Sequence, residues 1–260
     1  MRLNVKNFLL AVLVLTSVET AFSQKGYQVK TIVIDAGHGG GKPGARGAYS
    51  LEKSVALAVA LKLGKKFEED MPEVKILYTR KTDVDVDFHK RAAIANDAKA
   101  DLFISIHCNS VGGRNSSAKG TETFVAGMHR LHEQDVAIRE NADIKLEKNY
   151  KQNYDGYDPS DPETFIILSL FKNKFRDKSM EFASLIQNNF ATVDNRVNRG
   201  IKEQGILILQ RCGMPAVLTE IGFISNAEEE RYMNSAAGQE KIVSSIFNAV
   251  KVYKQQNDKI

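Results

Sequence analysis

Three stretches of this chain each bring a possible metal ligand to the end of a predicted secondary-structure element. His38 and His107 each close an apolar run typical of a buried strand, and Glu52 opens a long helical pattern. Buried strands of an α/β sheet deliver the residues at their carboxyl ends to a common crevice, so we expect these side chains to meet. Two imidazoles and one carboxylate would leave the fourth position of a tetrahedral zinc open to water or substrate. This is the chemistry of a metallohydrolase.

A second carboxylate, Glu220, ends another strand-like run that begins at Ala216. Local signals alone leave a structural interpretation open for each residue. A histidine at a strand end is often a hydrogen-bonded core residue. Ser50 is a plausible N-cap, which would put Glu52 in the first turn of the helix. A carboxylate there interacts favourably with the helix dipole even without a metal. The zincin motif His-Glu-x-x-His is absent from the sequence.

The elements that must position these residues alternate between strand and helix. This alternation predicts one α/β domain with a central mixed, mostly parallel sheet of about six strands and helices on both faces. The predicted strands are 31–35, 74–78, 102–107, 120–125, 205–210 and 216–220, and the predicted helices are 52–69, 88–98, 180–190 and two at the C-terminus.

Residues 140–178 have a different character and are interpreted as a helical insertion on this domain. Residues 150–161 are rich in Tyr, Asn, Asp, Gly and Pro, which predicts irregular structure there. Residues 162–175 are strongly apolar in the middle. They form either an ordinary core helix or a mobile regulatory element.

The N-terminus has the layout of a secretory signal peptide spanning residues 1–23. Arg2 and Lys6 precede an apolar run from Phe8 to Leu15, and Ala21-Phe22-Ser23 offers a cleavage site. The run is short for a transmembrane span, although an uncleaved anchor stays an alternative. We therefore expect residues 24–260 to be exported, with no membrane span after cleavage.

Composition narrows the class of partner. The formal net charge of +4 falls to +3 without the leader, which carries two cations and one carboxylate. The basic residues are scattered, so nucleic-acid binding is not predicted.

The two cysteines, Cys108 and Cys212, are too few for a disulfide scaffold, and a single disulfide between them stays an open alternative. Cys108 follows His107 on a strand, so it should point away from a metal at His107. His89, His129 and His132 lie in polar segments and are interpreted as surface residues.

Several blocks of the sequence resemble the zinc-dependent N-acetylmuramoyl-L-alanine amidases that act in bacterial cell division. The resemblance runs in order over nearly the whole mature chain, in the blocks Val33–Gly40, Glu52, Tyr78–Arg80, Arg91–Asn96, Ala100–Asn109, Gly120–Glu122 and Leu218–Asn226. It implies that His38, Glu52 and His107 bind one Zn²⁺ and that Glu220 is the catalytic carboxylate. The implied substrate is peptidoglycan, cleaved between N-acetylmuramic acid and L-alanine, in the periplasm and during daughter-cell separation.

The resemblance also implies regulation, because an inserted helix can cover the zinc in such amidases until a protein activator displaces it. Glu163 is the candidate for the covering carboxylate, and a monomer is expected. Two positions depart from the usual pattern: Lys42 stands where an acidic residue is common, and Cys108 replaces a small alanine. The rival interpretations are a zinc peptidase acting on wall peptides and a catalytically silent wall-binding protein.

Overall fold

The computed structural model describes residues 28–112, 116–127, 134–159 and 174–258. The strands are β1 (Thr31–Ala36), β2 (Lys75–Tyr78), β3 (Leu102–Asn109), β4 (Thr121–Ala126), β5 (Asn198–Gln204) and β6 (Ala216–Phe223). The α-helices are α1 (Glu52–Asp70), α2 (Phe88–Asp97), α3 (Asp135–Asn141), α4 (Tyr150–Asn153), α5 (Arg176–Thr192), α6 (Leu207–Gln210), α7 (Ala227–Asn234) and α8 (Ala236–Asn257). A 3₁₀ helix, Ala142–Leu146, follows α3 directly.

The six strands form one mixed sheet in the order β2-β1-β3-β6-β4-β5. All neighbouring pairs are parallel except β4 and β6, which are antiparallel. The predicted α/β class with a mostly parallel sheet is therefore confirmed. The carboxyl ends of β1, β3 and β6 share one edge, and the antiparallel β4 begins at that same edge.

Both faces of the sheet are covered, as the almost fully buried strands β1, β3 and β6 require. Helices α1, α5 and α8 pack on one face through side chains such as Val59, Phe182 and Ile246. Helices α2, α3 and α6 pack on the other face, where Phe88, Val136 and Leu209 join one core cluster. The second face is the one on which the candidate site lies.

The prediction of a strand at residues 205–210 is wrong, and strand β5 was not predicted. Residues 198–204 are polar and mostly half-exposed because β5 is an edge strand, so they lack the apolar pattern of a buried strand. The apolar run that follows instead forms the single helical turn α6, which packs into the core of the second face. A short apolar run does not distinguish a buried strand from a buried helical turn.

Two smaller predictions also differ from the structure. Ser50 is not the N-cap of α1; Leu51 holds that position, without a side-chain cap. The Ser50 hydroxyl instead donates to Glu230 on α7. Residues 150–153, expected to be irregular, form the helical turn α4.

Some predictions fall outside the described residues, among them the signal peptide and Glu163. Histidines 129 and 132 are also outside the described ranges. Within those ranges, no helix has the length and apolar character needed to cross a membrane.

Candidate metal centre

His38 lies in a tight loop directly after β1, where the backbone leaves little room for side chains. Its own φ is 56°, in the left-handed region. A Cβ on Gly37 would lie 2.4 Å from Nε2 of His107, and a Cβ on Gly44 would lie 2.6 Å from Oε2 of Glu52. These contacts are far shorter than van der Waals distance. The glycines of the loop thus allow the backbone to approach the two side chains that meet His38.

Two buried arginines hold this loop by its carbonyl groups. Arg91 donates to the carbonyls of Ala36 at 2.7 Å and His38 at 2.5 Å, and it pairs with Asp35 at 2.8 Å. Arg80 donates to the carbonyl of Ala36 at 2.9 Å. Arg91 and Asp35 are each 1% exposed, so the loop is fixed by a buried ion pair. Burial alone raises the pKa of Asp35, but Arg91 and two hydroxyl donors outweigh it and lower that pKa.

Glu52, the first residue of α1, reaches both histidines. Its Oε2 lies 3.2 Å from Nε2 of His38, and its Oε1 lies 3.0 Å from Nδ1 of His107. The backbone amides of Ala45 and Cys108 donate to the two oxygens, at 2.7 and 2.9 Å. The carboxylate is therefore held in position from the loop of residues 37–47, which we call the glycine loop, on one side and from β3 on the other.

Glu140, on α3, is the fourth member of the cluster. Its Oε2 lies 3.0 Å from Nδ1 of His107 and 3.4 Å from Nε2 of His38. The next turn supplies Asp143, whose carboxylate contacts Nδ1 of His38 at 2.7 Å. All four members of the cluster are buried. The structure thus brings together the three predicted ligands and adds one that was not predicted.

The geometry of this cluster fits a tetrahedral metal ion. A tetrahedron of ligands about 2.0–2.1 Å from its centre has an edge of about 3.3 Å. The four measured separations between nitrogen and carboxylate atoms run from 3.0 to 3.4 Å. In addition, His38 Nε2 and Glu140 Oε2 make no well-aligned hydrogen bond with any residue in the described ranges. Such buried polar atoms need a partner, and a cation shared by the cluster would provide one.

The electrostatics of the cluster also favour a cation. Burial lowers the pKa of His107, but Glu140 and Glu52 outweigh it and raise that pKa to about 10. Burial acts in the same direction on His38, and Glu52, Asp143 and Glu140 together hold its pKa well above the ordinary value. The carboxylates therefore stabilise positive charge strongly at this point. A divalent ion can take the place of the imidazole protons.

Glu220 lies beside the cluster on β6, in register with His107 on the neighbouring strand β3. It is fully buried, and its Oε1 accepts from Nη2 of Arg139 at 2.8 Å. Its Oε2 has no partner in the part of the chain that the structure describes. Burial raises the pKa of Glu220 to about 8, although Arg139 opposes the rise. Such a carboxylate is able to accept a proton near neutral pH.

Arg139 and Glu140 belong to a stretch, residues 134–159, that lies over the metal cluster; we call it the cover segment. Glu140 and Asp143 contact His38, and Arg139 donates to both Glu220 and Asn109. Farther along, Glu147 accepts from the ammonium of Lys42 at 3.1 Å. The glycine loop and the cover segment thus contact each other at two places, through His38 and through Lys42.

Lys42 lies inside a second group of possible ligands. Asp87, His89 and Glu147 come close enough together to hold an ion. However, the Lys42 ammonium already lies 3.1 Å from Glu147 and 3.9 Å from Asp87. This group therefore has its cation from the protein itself. His89 is partly buried and lies 3.4 Å from the Tyr154 hydroxyl, so it is not the plain surface residue that was expected.

Both cysteines are free and buried. Cys108 packs in the core of the first face and Cys212 in the core of the second, so the sheet separates them. The disulfide left open from the sequence does not form in this structure. As predicted, the Cys108 side chain points away from the metal cluster.

Glu140 and Arg139 were not predicted from the sequence. Neither follows a strand, and their segment has few large apolar residues, so nothing local indicated that it would fold onto the site. The one available signal was the position of Glu140 at the predicted start of the insertion.

Comparison with known proteins agrees with this geometry. The sequence profile of the N-acetylmuramoyl-L-alanine amidase family matches residues 32–252. The chain belongs to this family of amidases. Among its relatives, the amidase AmiC of Escherichia coli O6:H1 is 28% identical over 226 residues, covering 85% of this chain and 52% of AmiC. The chain thus spans about half the length of that relative.

Solved structures of amidases share the fold. The catalytic domain of CwlV, an N-acetylmuramoyl-L-alanine amidase from Bacillus (Paenibacillus) polymyxa, is 28% identical with a TM-score of 0.63, covering 87% of this chain and 98% of CwlV. The CwlD amidase of Clostridioides difficile, solved in complex with the GerS lipoprotein, is 25% identical with a TM-score of 0.64. That alignment covers 87% of this chain and 99% of CwlD.

Proposed function

We propose that this protein is a zinc-dependent hydrolase that cleaves the amide bond between N-acetylmuramic acid and L-alanine in peptidoglycan. His38, Glu52 and His107 would hold one Zn²⁺, and Glu220 would be the catalytic carboxylate. The observation that carries the proposal is the buried cluster of two imidazoles and two carboxylates beside Glu220, in a chain of the amidase family.

Held by His38, Glu52 and His107, a zinc ion would act as a Lewis acid towards water and the scissile carbonyl. The protein contributes the proton transfers. Glu220 accepts a proton from the attacking water and then delivers it to the amine of L-alanine as the carbon–nitrogen bond breaks. Its raised pKa suits both roles, because the group takes up and gives back a proton near neutral pH.

Two observations favour this function over its rivals. A zinc peptidase with a second, carboxylate-rich metal site would need another ion, yet the other ligand group of the described residues already contains the Lys42 ammonium. A silent wall-binding protein would be expected to lose a zinc ligand or Glu220. This chain keeps the three ligands His38, Glu52 and His107 as well as Glu220.

The test is mass spectrometry of purified peptidoglycan after digestion by the zinc-loaded protein. Wild type should release stem peptides that begin with L-alanine, and Glu220→Gln should release none. Glu203→Gln is the matched control, because Glu203 lies on β5 and pairs with Arg176. Shortened peptides still attached to muramic acid would instead establish a peptidase.

We further propose that the cover segment holds the enzyme at a low basal rate until a partner protein displaces it. Glu140 would take the metal-ligand position that water or substrate needs, and Arg139 donates a hydrogen bond to the carboxylate of Glu220. Glu140 would thus be the covering carboxylate, and Glu163, the candidate suggested from the sequence, lies outside the described residues. The complex of CwlD with the GerS lipoprotein supports a protein partner as the displacing agent.

Paired substitution of these two residues tests the covering role. The double variant Arg139→Gln with Glu140→Gln should hydrolyse peptidoglycan at least about tenfold faster than wild type, if covering costs more than about 1.4 kcal/mol. Asp135→Asn, on the same helix, is the control. An unchanged rate in a folded double variant would refute the covering role.

The place of action is also a proposal. The signal peptide predicted at residues 1–23 supports export, and a wall amidase acts where peptidoglycan is, so we propose the periplasm and a part in daughter-cell separation. A monomer is proposed for the isolated chain. Fractionation of cells carrying the tagged full-length chain tests the location, and a cytoplasmic pool alone would contradict it.

A further inference from the structure

Arg199 and Lys202, on the edge strand β5, form a cationic pair that the chemistry of the metal cluster does not use. Arg199 Nε donates to Oε1 of Glu122 at 2.7 Å, and the Lys202 ammonium donates to the same oxygen at 3.0 Å. Glu122 is 2% exposed, whereas the two cationic side chains are each more than one-third exposed. The trio therefore has one buried negative charge and two outward positive charges.

This trio lies one strand away from the catalytic carboxylate. Glu122 on β4 is directly opposite Glu220 on the antiparallel strand β6. Side chains of such a pair lie on the same face of the sheet, with Cβ atoms about 4.5–5.5 Å apart. Neighbouring strands are about 4.8 Å apart, so β5 lies about 10 Å from β6. The cationic pair thus contacts a carboxylate that shares a face of the sheet with Glu220.

Hydrogen bonds connect the two places through Asn109. Its Nδ2 donates to Glu122 at 2.8 Å, and its Oδ1 accepts from Arg139 at 2.9 Å. Arg139 also binds Glu220. The arginine of the cover segment therefore lies between Glu220 and the cationic pair, and displacement of the segment would open that path.

Aromatic rings hold the cations in position. The Arg199 guanidinium lies 4.9 Å from the centre of the Phe223 ring, and the Lys202 ammonium lies 5.9 Å from that of Phe124. Of the guanidinium nitrogens of Arg199, only Nε has a partner among the described residues. The two terminal nitrogens remain as a fork whose geometry matches a carboxylate.

We propose that Arg199 and Lys202 bind a free carboxylate on the peptide side of the scissile bond and so determine which stem peptides are cleaved. This inference rests on the proposed function. An extended peptide advances about 3.3 Å per residue, so the distance of about 10 Å from β6 places that carboxylate on the second or third residue after the scissile amide. The glycan side offers neutral hydroxyl and acetamido groups, which would not select two cations.

The test uses two synthetic N-acetylmuramoyl peptides that differ only in a free or an amidated carboxylate at the second residue, and a second such pair for the third. Wild type, loaded with zinc, should show a kcat/KM at least about tenfold higher for the free carboxylate in one of the pairs. The double variant Arg199→Gln with Lys202→Gln should bring that ratio to about one. A purely structural role would lower both rates and leave the ratio as in wild type.

Two further variants sharpen the comparison. Arg176→Gln also removes a cation that binds β5, but its partner is Glu203, so the preference should persist. Arg199→Lys should retain part of the preference. A ratio near one in wild type, or a wild-type ratio in the double variant, would overturn the inference.

Binding separates this inference from the proposed function. Isothermal titration of the Arg139→Gln with Glu140→Gln variant, whose cover segment is released, should show tighter binding of the free carboxylate form of the released peptides, even if turnover is not detected. Loss of turnover with selective binding would count against the amidase activity alone. Equal affinities, or no binding of either peptide, would overturn the inference on Arg199 and Lys202.

Discussion

Replacing Lys42 with methionine should loosen the cover segment while the sheet stays folded. Lys42 is fully buried, and its ammonium lies 3.1 Å from Glu147 of the cover segment and 3.1 Å from Asp85 of the core domain. Glu147 is also buried and has other donors, among them the amide of Phe88 at 2.9 Å. Lys42→Met keeps most of the apolar side chain and removes the ammonium group with its charge.

The size of the effect follows from the burial of the pair. Breaking a buried ion pair by removing one partner costs about 3–5 kcal/mol. Because Glu147 keeps other donors, we take the lower end, about 3 kcal/mol. At about 1.4 kcal/mol for each factor of ten, the open state of the cover segment becomes about a hundredfold more populated.

Hydrogen–deuterium exchange read by mass spectrometry measures this population. Amides of 135–146 should exchange about a hundredfold faster in Lys42→Met, whereas those of β1 and β3 keep their protection. Lys53→Met is the control, because Lys53 lies near the same loop but pairs with Asp83 and the Gly40 carbonyl. Exchange of 135–146 at the wild-type rate would refute the idea that Lys42 and Glu147 hold the segment.

Three further predictions concern the supports of the site. Asp35→Asn should lower the free energy of unfolding by about 3–5 kcal/mol in urea denaturation, because it leaves Arg91 buried without its carboxylate. Gly44→Ala should weaken zinc binding at least about tenfold in a chelator competition, since a Cβ there meets His38 and Glu52 and the φ is 67°; Gly41→Ala, with nothing within 4 Å, should not. Glu230→Gln should cost about 1.5–3 kcal/mol at pH 7, because Glu230 accepts from three backbone amides and the Ser50 hydroxyl. Burial raises the pKa of Glu230, but these donors outweigh it and lower that pKa, so its stabilisation is present above the unfolded-state pKa of about 4.3 and is lost as the pH falls further. The difference between variant and wild type in urea unfolding should therefore shrink from pH 5 towards pH 2, and a constant difference would contradict the prediction.

The parts of the site that lie towards the carboxyl ends of buried strands could be predicted from the sequence. An apolar run followed by His38 or His107 indicates the strand, although β3 continues past His107 to Asn109 and β6 continues past Glu220 to Phe223. In a parallel sheet the carboxyl ends of the strands share an edge, so local patterns were enough to bring these residues together. The same reasoning placed Glu220, which is in register with His107.

Residues that reach the site through long-range docking could not be predicted in this way. Glu140 lies on a short polar helix, and its position depends on contacts such as Lys42 with Glu147, which are 105 residues apart in the chain. Strand β5 was missed for a related reason. An edge strand has a neighbouring strand on one side only and stays partly exposed to solvent. Residues 198–204 therefore have a polar sequence that resembles a loop.

An anomalous difference map at the zinc absorption edge, from crystals of the zinc-loaded protein, would locate the metal ion. We predict one strong peak per chain, bound by His38, Glu52 and His107, with Glu140 as the fourth ligand while the cover segment is in place. A peak between Asp87, His89 and Glu147 instead, or no peak at the first cluster, would contradict this prediction.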